Sequence, residues 1–83
     1  MSYLIYGKII KPVRLYDAAL KRQAIQEPQA QYRALSYEGV RCSRIADAGE
    51  YATKEDAEMK LEEVRKRLGQ RAECISFQIR KAK

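Results

Sequence analysis

A chain of 83 residues with 17 Lys and Arg, 11 Asp and Glu and no His carries a formal charge of +6. At this length it makes one small domain, residues 1–83, which buries roughly 60–65% of its unfolded surface. The absence of histidine excludes the usual Ser-His and Cys-His nucleophile pairs, and two cysteines 32 positions apart, Cys42 and Cys74, cannot build a tetrahedral zinc site.

The opening run YLIYGKII, residues 3–10, has apolar residues on both faces, the pattern of a central strand. It is too short for a secretory signal and lacks a small-residue cleavage site. A cytoplasmic protein with reduced thiols is therefore expected, with both cysteines as small apolar groups and a Cys42–Cys74 disulfide as the alternative. No run approaches membrane-spanning length.

Pro12 ends the strand, because it has no N–H for a ladder. Residues 14–26, RLYDAALKRQAIQ, place Tyr16, Leu20 and Ala24 four apart and carry three alanines, which predicts a helix stopped by Pro28. QYRALSYEGVRCSRI, residues 31–45, reads as two strands with Glu38-Gly39 at the hairpin turn, and DAG at 47–49 marks a further turn.

The segment TKEDAEMKLEEVRKRLG predicts an amphipathic helix over 54–68, since Ala57, Leu61, Val64 and Leu68 form one apolar stripe. Thr53 stands where an N-cap hydroxyl bonds the N–H of Asp56, and Gly69 is the C-terminal stop. Acids fill the first half and bases the second, with Asp56–Lys60, Glu62–Lys66 and Glu63–Arg67 spaced for pairing. A last strand over about 73–80 alternates Ile75, Phe77 and Ile79 toward the core with Cys74, Ser76, Gln78 and Arg80 away from it, and runs into a basic tail at 80–83.

The order strand, helix, strand, strand, helix, strand predicts an α+β fold of the ferredoxin-like βαββαβ type. Both helices would pack on one face of a four-stranded antiparallel sheet, the first and last strands would lie side by side, and the other face would be open. The fallback, if residues 14–26 are not helical, is a β-meander with one helix packed across it.

Chemistry-bearing residues are sparse. Glu55, Asp56, Glu58, Glu62 and Glu63 lie on the surface of the long helix, while Asp17, Glu27, Glu38, Asp47, Glu50 and Glu73 fall singly at turns or element ends. Gly7, Gly39, Gly49 and Gly69 form neither a phosphate loop nor a dinucleotide fingerprint. No enzymatic activity, cofactor or metal is expected.

Charge placement says more. The long helix has five bases and five acids, so all of the +6 lies outside it. On the expected fold Leu4, Tyr6, Lys8 and Ile10 face outward beside Gln78 and Arg80, mixing an aromatic ring, apolar groups and cations. That is the composition of a single-stranded nucleic-acid platform, where bases stack on rings and phosphates pair with cations. The candidate contact residues are Tyr6, Lys8, Lys11, Arg14, Arg41, Arg44, Gln78, Arg80, Lys81 and Lys83. The competing explanation is that Tyr6 is ordinary strand packing and the cations protect an edge. Tyr3, Tyr16, Tyr32, Tyr37 and Tyr51 read as core or rim.

Two resemblances add to this. EYATKEDAEMKLEEV resembles the passage from third strand to second helix in RNA-recognition-motif domains, although the Lys/Arg-Gly-Phe/Tyr aromatic signature of that family is missing. YLIYGKI, YATKEDAEMKLEEV and FQIRKAK together resemble short proteins of phages and bacterial mobile elements, a class that includes anti-CRISPR proteins. The second resemblance implies a non-enzymatic inhibitor in the host cytoplasm that binds a nucleic-acid-handling protein complex. Direct binding of single-stranded nucleic acid and homodimerisation through an exposed strand edge are the alternatives.

Overall fold

The computed structural model describes residues 2–17, 19–35 and 49–82. Strand β1 (Ser2–Ile9) occupies the middle of a three-stranded antiparallel sheet, as its two apolar faces require. On one side runs the eight-residue last strand, which pairs with it from Ser2↔Ala82 to Ile9↔Ile75. On the other lies a two-residue strand, Arg33–Ala34, paired at Gly7 and Tyr6. Leu35 N–H continues that edge by donating to Ile5 O at 2.9 Å, and Tyr3 and Tyr51 exchange both backbone hydrogen bonds at 2.8 and 2.9 Å.

Residues 14–26 do not form a helix. They belong to a hairpin of β2 (Val13–Asp17) and β3 (Arg22–Gln26), registered from Val13↔Gln26 to Asp17↔Arg22. Tyr16 and Leu20, two members of the apolar stripe of a helix, are 53% and 52% exposed, whereas Val13 is buried and Leu15 and Ala24 are half-buried at period two. Local chemistry also favours the turn. The Asp17 carboxylate accepts the N–H groups of Ala19 (2.9 Å) and Leu20 (3.2 Å), and Lys21 takes a left-handed φ of 55°. Helix propensity, worth tenths of a kcal/mol per residue, is overridden by these contacts.

Strand β4 is Arg33–Ala34, helix α1 is Lys54–Leu68, and strand β5 is Ile75–Ala82, joined to α1 by a 3-10 helix over Gly69–Cys74. Among the described residues the protein is thus a small α+β fold of five strands in two antiparallel sheets with one helix, and the four-stranded, two-helix ferredoxin-like expectation is corrected. Among the described residues one helix packs on a sheet, as in the fallback, but the meander order is replaced by β4-β1-β5 with the β2–β3 hairpin in a sheet of its own. The expected turn at Glu38-Gly39 and the strand after it lie outside the described residues, as does Cys42. Cys74 is half-buried with a free thiol.

Helix α1 has the predicted bounds. Thr53 Oγ1 accepts the Asp56 N–H at 3.1 Å, and Gly69, at φ 62°, donates its N–H to Arg65 O. Its exposed ion pairs are Lys60–Glu63, Glu62–Arg65 and Glu63–Arg67, of which the last was expected. Its apolar stripe settles on the sheet face that presents Ile5, Phe77 and Ile79, and Ile5, Leu35, Ala57 and Leu61 form the core, with Ala57 0% exposed. The hairpin is tied back to this body through Arg71, whose Nη1 donates to Arg14 O at 3.2 Å. The Cys74 carbonyl accepts from Ile10 and Lys11, and the Gln29 N–H donates to Ile9 O. Among the described residues no helix is long and apolar enough to cross a membrane.

Leu61→Ala should lower unfolding free energy by about 2–5 kcal/mol in urea denaturation, because it opens a cavity between helix and sheet. Met59→Ala on the solvent side of the same helix, 72% exposed, should stay within about 0.5 kcal/mol. Equal losses at the two positions would mean that α1 packs through a different face.

Candidate functional site

Alternation along β1 and β5 divides the sheet into two unlike surfaces. Tyr3, Ile5, Gly7 and Ile9 lie with Lys81, Ile79, Phe77 and Ile75 on the helix side, and Leu4, Tyr6 and Lys8 with Arg80, Gln78 and Ser76 on the other. Ala34, opposite Tyr6, belongs to the second surface, and so does Tyr32 two residues earlier. This outer face is not wholly open, since Leu4 and Ala34 are each 5% exposed and pack with Tyr6 and Ala82. The polar end beside that cluster carries the candidate site.

Four side chains converge there. The Arg80 guanidinium carbon stands 4.4 Å from the centroid of the Tyr6 ring and 5.2 Å from that of Tyr32, and Lys8 Nζ is 5.1 Å from Tyr32. All three distances lie within the range over which a ring quadrupole attracts a cation. The pairing of Tyr6 with Gln78 makes Arg80 the diagonal neighbour of Tyr6, so the contact follows from strand register. Gln78 Oε1 accepts from both Nε (3.0 Å) and Nη2 (2.9 Å) of Arg80. Tyr32 reaches across β1 from the β4 side, and its hydroxyl lies 2.7 Å from Ser76 Oγ on β5. The rings and the guanidinium are therefore held by one another and by the sheet.

Of the sequence candidates, Tyr6, Lys8, Gln78 and Arg80 come together. Lys81 is separated from Arg80 by the pleat and shares the helix side with Tyr3, so the basic tail is not a single contact surface. Lys11 and Arg14 belong to the hairpin and its approach, away from the tyrosine pair, and Arg14 is exposed there. Arg41, Arg44 and Lys83 lie outside the described residues. Tyr32 and Ser76 were missed as site residues. No local pattern marks Tyr32, since its place on the face depends on the pairing of Ala34 with Tyr6.

Electrostatically the site differs from α1. Lys60, Arg65 and Arg67 on the helix have carboxylates within 4.0 Å, whereas among the described residues no carboxylate lies that close to Lys8 or Arg80. Among the described residues two cations thus stand on an aromatic support without a counter-charge, which suits them to an external anion. Among the described residues no group of three or more Cys, Asp or Glu is placed to hold a metal ion. No protein-family model, no curated protein and no solved structure matches this chain.

A double-mutant cycle of Tyr6→Leu and Arg80→Ala, read by chemical denaturation, should give a coupling of about 0.5–1 kcal/mol, the value for an exposed cation–ring pair. Additive losses would show that the 4.4 Å contact contributes no energy of its own.

Proposed function

We propose that this chain is a non-enzymatic binding module that holds a single strand of nucleic acid on the outer face of its sheet. The observation that supports the reading most is the convergence of Tyr6, Tyr32, Lys8 and Arg80 within 4.4–5.2 Å contacts on one face, with no carboxylate beside either cation among the described residues. A single strand exposes both of the features such a surface attracts, unstacked base faces and phosphates. A duplex hides the first.

The test is fluorescence anisotropy with mixed-sequence DNA and RNA oligonucleotides over a salt series. Affinity should fall with salt at a slope of about −0.7 per phosphate neutralised, and Lys8→Ala should remove about one such increment. Arg80→Glu should weaken binding strongly, and Lys81→Glu on the opposite face much less. If no oligonucleotide binds even at low salt, the reading is wrong.

A second reading rests on a different observation. The solvent face of the β2–β3 hairpin exposes Tyr16 and Ile25, each 53% accessible, with Leu20 at the tip. Apolar side chains of this size beside Arg14 suit a protein interface, which favours Tyr and Arg. On this reading the module is a phage- or mobile-element-encoded inhibitor that acts, in the manner of an anti-CRISPR protein, on a host complex that handles nucleic acid. Affinity capture from bacterial lysate should then recover a defined complex that survives nuclease and is lost with Tyr16→Ser and Ile25→Ser. Capture that disappears on nuclease treatment would leave nucleic acid as the ligand.

A further inference from the structure

The outer face contains an exposed guanidinium that already has side-chain partners on its own sheet. Arg80 has five N–H donors arranged along its planar edges. Gln78 Oε1 takes the side edge, accepting from Nε and Nη2 together at 3.0 and 2.9 Å. The rings of Tyr6 and Tyr32 lie 4.4 and 5.2 Å from the guanidinium carbon. What is left is the end edge, where Nη1 and the second hydrogen of Nη2 point the same way as two parallel donors. Among the described residues no carboxylate or carbonyl takes that edge.

A pair of parallel donors left open among the described residues favours a ligand with two acceptors side by side. On the Hoogsteen edge that pattern belongs to guanine, whose O6 and N7 lie adjacent, whereas adenine presents a donor beside N7; on the Watson–Crick edge cytosine offers O2 and N3 side by side, and thymine offers no adjacent pair. A phosphate also offers two acceptors, but every nucleotide has one, so phosphate pairing gives affinity without preference. On a single strand the Hoogsteen edge of guanine is free to approach. Lys8, a point charge 5.1 Å from Tyr32, complements the fork as a phosphate contact of the same nucleotide or its neighbour.

We infer that Arg80 is the base-reading residue of this face and that the module prefers guanine to adenine and thymine in a single strand. The inference rests on the proposed single-strand binding and goes beyond it by assigning a sequence preference and the group that sets it. Gln78 is then a positioning residue, acting through Arg80 by holding its side edge.

The experiment compares an unstructured oligothymidine carrying two spaced guanines with the same strand carrying adenines in their place and with oligothymidine alone, by anisotropy at fixed salt. The wild-type chain should bind the guanine strand about tenfold more tightly than the other two, the discrimination expected of one bidentate pair. Arg80→Lys keeps the charge but loses the planar fork, and so should abolish the guanine preference. Gln78→Leu should reduce the preference, and circular dichroism of each variant checks that the fold is retained. Equal affinity for the three strands, or an unchanged preference in Arg80→Lys, would overturn the inference while leaving single-strand binding in place. Absence of binding to all three would instead overturn the reading on which it rests.

Discussion

The antiparallel pairing of β1 with β5 is the constraint from which the rest of the molecule follows. Eight consecutive residue pairs, from Ser2↔Ala82 to Ile9↔Ile75, lock the two ends of the chain together. A slip of one residue in this register would move every side chain of a strand to the opposite face. It would take Ile79 and Phe77 away from Ala57 and Leu61, and in the same step carry Arg80 away from Tyr6. Core and candidate site are two consequences of one register.

That coupling explains the division of labour between the surfaces. Helix α1 buries Ala57, Leu61 and Val64 and balances its own charge, so it stabilises the helix side of the sheet without adding to the net field. The excess of positive charge is left to strands, hairpin and connections. On the outer face, Leu4 and Ala34 provide a small apolar floor, and the cations stand at its margin on tyrosine rings rather than on carboxylates. A guanidinium with a ring and an amide oxygen as neighbours has part of its rotamer choice made within the protein, which lowers the ordering cost that a bound anion would meet.

Sequence alone revealed those parts in which local signals and tertiary packing agree. Helix α1 announced itself through a cap, a stripe and a stop, and the central position of β1 through apolar residues on both faces. The side-by-side arrangement of first and last strands also followed, together with the grouping of Tyr6, Lys8, Gln78 and Arg80. The hairpin was hidden because RLYDAALKRQAIQ satisfies two periods at once. Tyr16, Leu20 and Ala24 fit a helix, and Val13, Leu15, Ala24 and Gln26 fit the inner face of a ribbon. The decision between them was made by the Asp17 carboxylate capping its own turn and by the anchorage of Arg14 O on Arg71, a contact 57 residues distant.

Tyr32 shows the same limit at the site. It precedes a strand of only two residues, and the signals around it mark neither a face nor a ligand. Its role emerges when Ala34 pairs with Tyr6, because the alternation then lays its ring over β1 between Lys8 and Arg80, and Ser76 fixes its hydroxyl from the far strand. The basic tail behaves in the converse way. Arg80 and Lys81 are adjacent in sequence and look like one patch, yet the pleat sends them to opposite sides. A run of positive charge on a strand is therefore half the surface it seems to be, and the half that matters is decided by which neighbours the register supplies. For Arg80 those neighbours are two rings and an amide oxygen, and they convert a charge into an oriented pair of donors.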